Sequence, residues 1–195
     1  MSFYKACLVV AALALSNPTA YAAPAPESSA HATESRIGFK GILPGSTIEQ
    51  VGIQCKRIGL DLVGTIEPDG STMIRKDGLT AAEIPIKREC VLMQFSSGRL
   101  AMLTFDIDSS SFETMKIALA SKYGKPFSRS VPVQNAFGAV RTNQILMWSA
   151  GENTVELKQF TDDIETSTVN YGCKPLMIQA VKNLDKRDAA KANDL

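Results

Sequence analysis

The chain has 195 residues, 45% of them hydrophobic, with 21 Lys and Arg against 20 Asp and Glu. Without Lys5, the one charge in residues 1 to 22, the remainder balances 20 against 20, so no basic stripe suggests nucleic acid or anionic lipid as a partner. The only histidine, His31, falls in a Pro- and Ala-rich segment, which excludes Ser-His-Asp and Cys-His catalysis and the common histidine metal sites.

Residues 1 to 22, "MSFYKACLVVAALALSNPTAYA", read as a secretory signal peptide. Lys5 supplies the positive start, and an apolar run too short to span a bilayer follows. Ala20-Tyr21-Ala22 meets the small-x-small cleavage rule, predicting a periplasmic or secreted protein that begins at Ala23, with no stable membrane anchor. Residues 23 to 36 lack the large apolar side chains that would order them and read as a linker. A single domain is expected over residues 37 to 185, then a charged tail over 186 to 195.

"STIEQVGIQCKRIG" predicts the first helix, with Ile48, Val51, Cys55 and Ile58 on one face and Gly59 at the stop. Ser46 and Glu49 have capping-box spacing. Strands are expected at residues 60 to 66 and 71 to 75, and a polar loop at 76 to 88. "VLMQF" and "RLAMLTFDID", joined by Ser96-Ser97-Gly98, form the clearest hairpin. "SSFETMKIALASKYG" is a second helix, with Ser110 and Glu113 at the same capping spacing. A shift of 64 residues places Ser46 on Ser110, Glu49 on Glu113, Val51 on Met115, Ile53 on Ile117 and Cys55 on Leu119. An irregular stretch precedes a hairpin of "NQILMWSA" and "NTVELKQF"; "STVNYG" and the short helix "LMIQAVKNL" close the chain. The expected fold class is α+β: an antiparallel sheet with helices on one face, order α-β-α-β-α, and an approximate tandem duplication of a helix-plus-hairpin unit.

In an exported chain Cys55, Cys90 and Cys173 are disulfide candidates, and Cys55–Cys90 is the favoured pair, tying the first helix to the hairpin. Asp106, Asp108 and Glu113 resemble a fragment of a calcium loop but lack its sixth-position glycine, so no metal or cofactor is expected. Gly38, Gly41 and Gly45 match neither the dinucleotide nor the phosphate-loop spacing. The strand around Trp148, the single tryptophan, is apolar on both faces. A lone tryptophan on a sheet is more often core than contact. If helices cover only one face, however, part of this strand is exposed, and Trp148, with Met147 and Tyr171 as neighbours, is then the candidate protein-binding surface.

"GILPGSTIEQV" resembles the helix start of small bacterial envelope proteins of the SmpA/OmlA type, and "YGKP" resembles the way their helices end. The order of elements is also similar to the β-lactamase-inhibitor-protein fold. Both resemblances imply a non-catalytic binder of another envelope or secreted protein, such as an inhibitor, an immunity-type protein or an accessory factor. A carboxylate-based hydrolase of envelope glycan, needing two convergent acids, and a small-ligand carrier, needing an enclosed apolar pocket, are the alternatives.

Overall fold

The computed structural model describes residues 36–63, 66–134, 140–161 and 163–193. The predicted signal peptide and all but the last residue of the predicted linker lie outside them. In chain order the elements are α1 (Ile48–Arg57), β1 (Asp61–Val63), β2 (Ser71–Arg75), β3 (Thr80–Ala81), β4 (Ile84–Pro85), β5 (Cys90–Ser96) and β6 (Arg99–Asp108). Then follow α2 (Phe112–Tyr123), β7 (Phe127–Gln134), β8 (Val140–Ala150), β9 (Asn153–Lys158), β10 (Thr166–Cys173) and α3 (Lys174–Asn193).

Eight strands form one antiparallel sheet in the order β1-β2-β5-β6-β10-β9-β8-β7, and β3 and β4 form a separate ribbon. This overturns the expected α+β class: among the described residues a large antiparallel β-sheet dominates over three short helices. The discrepancy has a local origin. The stretch after α2, expected to be irregular, is the eight-residue β7 paired along its whole length with β8. After α1 the four strands of the sheet fall where two strands and a hairpin were expected, whereas after α2 there are four strands where three were expected.

Alternation along the strands divides the sheet into two unlike faces. Val91, Met93, Leu103, Phe105, Ile107, Val169, Val155, Leu157 and Leu146 are all buried and face one side. Onto it α1 packs Val51 and Cys55, and α2 packs Phe112, Met115 and Leu119. Each large side chain removed from water in this way contributes roughly 1.5–3 kcal/mol. Residues 76 to 88, expected as a polar loop, carry buried Leu79, Ile84 and Ile86 into the same core. They do so because the β3–β4 ribbon folds the segment back on itself.

The third helix lies elsewhere. It packs on β5, β6 and β10, and a Cβ placed on Gly172 would collide with Met177. Gly172 faces away from its core-facing neighbour Tyr171, so α3 crosses the opposite side of the sheet. Gln179 Nε2 donates to Ser97 Oγ at 2.8 Å and Asn183 Nδ2 donates to Asp69 Oδ1 at 3.1 Å, which fixes its path. The helices therefore occupy both faces, against the expected one. α3 also runs to Asn193, well past the short helix expected there, because Asp, Lys, Arg and Ala continue a helix without a breaker.

The two capping boxes differ from expectation in an instructive way. Gly45 N–H donates to Leu100 O at 2.7 Å, and Leu100 N–H donates to Ser46 O at 2.8 Å. The backbone at Ser46 is thus committed to β6, so the helix starts one residue later. Thr47 Oγ1 accepts from Gln50 N–H at 3.3 Å, and Gln50 Oε1 accepts from Thr47 N–H at 2.9 Å. Gly59, at φ 65, ends the helix as predicted. Before α2, Asp108 Oδ1 accepts from Ser110 N–H at 2.9 Å and caps a short 3-10 turn. Ser111 caps nothing with its side chain, and Glu113 pairs with Lys116 at 3.0 Å.

Candidate functional site

Trp148 and Tyr171 are core residues. Trp148 is 3% exposed, and its Nε1–H donates to Gly124 O at 2.7 Å, tying β8 to the end of α2. Tyr171 packs with Phe39 and Phe105, at ring-centroid separations of 6.4 and 6.3 Å. Burial, with Tyr123 beside it, pushes the Tyr171 phenol well above its ordinary pKa. Met147 alternates with Trp148 and lies on the opposite face, half-buried. Of the three residues chosen from the sequence, Met147 alone stands on the open face.

The expected Cys55–Cys90 bond is not formed; Cys55, Cys90 and Cys173 are free thiols. Cys55 points from α1 into the core. Cys90 alternates with core-facing Val91, so it faces the other side of the sheet, where α1 cannot reach it. Burial pushes the thiols of Cys55 and Cys173 up, away from the nucleophilic thiolate.

The glycine-rich entry to α1 borders an open groove of about 500 Å³ lined by Pro44, Gly45, Ser46, Gln50, Glu152 and Cys173, among others. Lys40 and Gly41, at φ 48 and 83, make a tight turn that brings Phe39 and Ile42 together, and both are buried. At the helix start Gln50 N–H is taken by Thr47 Oγ1 and Ile48 N–H by Gly98 O. Those amides are therefore spent on the fold. Glu152 is the one carboxylate among the lining residues, whereas hydrolysis of a glycan takes two. Asp106, Asp108 and Glu113 turn to separate partners: Thr168, Ser110 and Lys116. Among the described residues no three His, Cys, Asp or Glu side chains converge on a metal position.

The open face beside α3 carries a more organised surface. Thr104, Asn170, Glu156, Met147 and Phe127 stand in register across β6, β10, β9, β8 and β7. Thr104 Oγ1 donates to Asn170 Oδ1 at 2.8 Å, and Asn170 Nδ2 donates to Glu156 Oε1 at 3.3 Å. Lys158 Nζ lies 3.5 Å from the same carboxylate oxygen. One row along, Thr168 Oγ1 donates to Asp106 Oδ1 at 2.6 Å. The line ends at Phe127, 68% exposed. Sequence reasoning missed Thr104, Asn170, Glu156 and Phe127. Alternation marks the first three as outward-facing, but only the pairing of β6 with β10 and of β10 with β9 puts them side by side.

Among the described residues no helix is long and apolar enough to cross a membrane. Comparison with protein-family models, with curated proteins and with solved structures returns no match in any of the three.

Proposed function

We propose that the chain is an exported, non-catalytic domain that binds another envelope or secreted protein through the open sheet face. The observation that carries this is the line Thr104–Asn170–Glu156–Met147–Phe127. Its polar members, of which Thr104 is buried, are hydrogen-bonded to one another beside a half-buried methionine and an exposed phenylalanine. Met and Phe are side chains enriched at protein interfaces, and a hydrogen-bonded polar array beside them loses less side-chain entropy on binding. Export rests on the first 22 residues, and the SmpA/OmlA-type resemblance supports the same class of role.

The test is affinity capture from an envelope extract with three proteins: wild type, Asn170→Arg and Ile117→Arg. Ile117 is 67% exposed on α2, on the far side of the sheet. A partner recovered by wild type and Ile117→Arg but lost with Asn170→Arg is the expected result. Equal recovery by all three would remove the open face as the binding surface.

A further inference from the structure

We propose that the outer edge of β7 takes up an extended, acidic segment of a partner protein, which adds to the sheet as a further strand. This deepens the protein-binding reading and rests on it. Among the described residues β7 pairs with β8 alone, over Phe127–Gln134, so its other side presents unpaired backbone groups. Among the described residues the opposite edge of the sheet, β1, spans three residues and offers less.

Pro132 sets the register of the offer. Proline has no N–H, and within a paired strand it fits where its nitrogen faces away from the neighbour. Ser128 and Ser130 share that orientation, so their N–H groups point outward. Addition is confined to the Phe127–Val131 half, and Pro132 closes it.

Charge chooses the partner. From Thr114 to Gly151 the sequence has Lys116, Lys122, Lys125, Arg129 and Arg141 and no acidic residue. Lys116 is paired with Glu113, and Lys122 sits 5.0 Å from the Tyr123 ring. Lys125, Arg129 and Arg141 give the hairpin its positive field, and among the described residues the buried Nε of Arg129 has no hydrogen-bond partner. Two such edges would repel, which disfavours a second copy, whereas an acidic strand about 4.8 Å away would come within ion-pair reach. Phe127 and Arg129 lie opposite Met147 and Ile145, so an added strand would extend the polar line of the open face. The fitting segment alternates acidic and apolar residues, in the manner of strand addition to an exposed edge.

The test is selection from a random octapeptide display library on the mature protein at low salt. Selected peptides should be enriched in Asp and Glu. They should bind at least about tenfold more weakly to Lys125→Glu/Arg129→Glu, and weaken as salt is raised. Hydrogen exchange at Ser128 and Ser130 should slow when they bind. Circular dichroism melting of the double variant controls for folding. Peptides without acidic excess, or acidic peptides indifferent to the double variant, would overturn the edge proposal. Capture lost with Asn170→Arg but untouched by Lys125→Glu/Arg129→Glu would also sink it, while leaving the protein-binding reading in place.

Discussion

The first half of the fold, α1 with β1, β2, β5 and β6, and the second, α2 with β7 to β10, are laid out alike and secured differently. Each is a helix followed by four sheet strands, and the last strands, β6 and β10, meet antiparallel at the centre. In the first half the helix start is held twice, by a reciprocal Thr47–Gln50 cap and by the pairing of Gly45 and Ser46 with Leu100. In the second half the start of α2 has no side-chain cap, and its end is held instead by the Trp148–Gly124 hydrogen bond. The edges differ too: β1 is three residues long, β7 eight. A similar plan thus distributes its restraints to opposite ends of the two helices, and it leaves its long edge on the cationic side.

The sharpest way to break this contrast is Trp148→Ala. The indole is buried and its N–H bonded, so the change opens a cavity in the second half and leaves the Gly124 carbonyl without its indole donor. Loss of about 3–5 kcal/mol in a urea titration is expected. A loss below about 1 kcal/mol would place the indole at the surface, as the candidate binding surface read from the sequence requires.

The next effect appears on the alkaline side. Cys55, Cys173 and Tyr171 all have folded pKa values raised chiefly by burial. A raised acid holds its proton more tightly when folded, so its contribution is fully present below the unfolded pKa. It is lost as pH rises through the folded one. The urea midpoint should therefore stay level up to about pH 8.5, the free-thiol value, and fall above it. Cys55→Ala with Cys173→Ala should flatten the first part of that fall and leave the tyrosine part. An unchanged slope in the double variant would show that the thiols are not what the folded state keeps neutral.

How much of this was legible depended on how local the cause was. Gly59 at the end of α1 and the hairpin after β5 follow from a few adjacent residues, although Ser96, expected in the turn, ends β5 and leaves Ser97-Gly98 as the turn. Ser97 and Gly98, at φ 50 and 72, adopt the left-handed pair that a two-residue turn requires. β7 was not read, because "FSRSVPVQ" has serines where a buried strand has apolar residues; it is a strand because β8 lies beside it. The cysteine pairing failed for a related reason. Sequence distance cannot say which face of β5 Cys90 takes until the core-facing register is fixed by Val91 and Met93. The open-face line is the extreme case: Thr104, Asn170 and Glu156 are separated in sequence by strands and turns, and only the sheet order joins them.

The smallest effect is the most specific to the comparison. Thr47→Ala removes the acceptor for Gln50 N–H, and also the anchor that keeps the Gln50 side chain folded back on Thr47 N–H. A loss of about 1 kcal/mol is expected, within the usual range for an N-cap threonine. Ser111→Ala removes a side chain that caps nothing, because the entry to α2 is held by Asp108 through Ser110. Its expected cost is below about 0.5 kcal/mol, the level of a surface change that touches no special feature. The sequence, which put the two caps at Ser46 and Ser110, predicts the opposite pattern at the first site, with Ser46→Ala costly and Thr47→Ala nearly neutral. Measuring the three variants side by side in urea therefore decides between a helix begun by its own local code and one whose first residue is set by β6. A larger loss at Ser46 than at Thr47 would favour the local code and remove β6 from the account of where α1 begins.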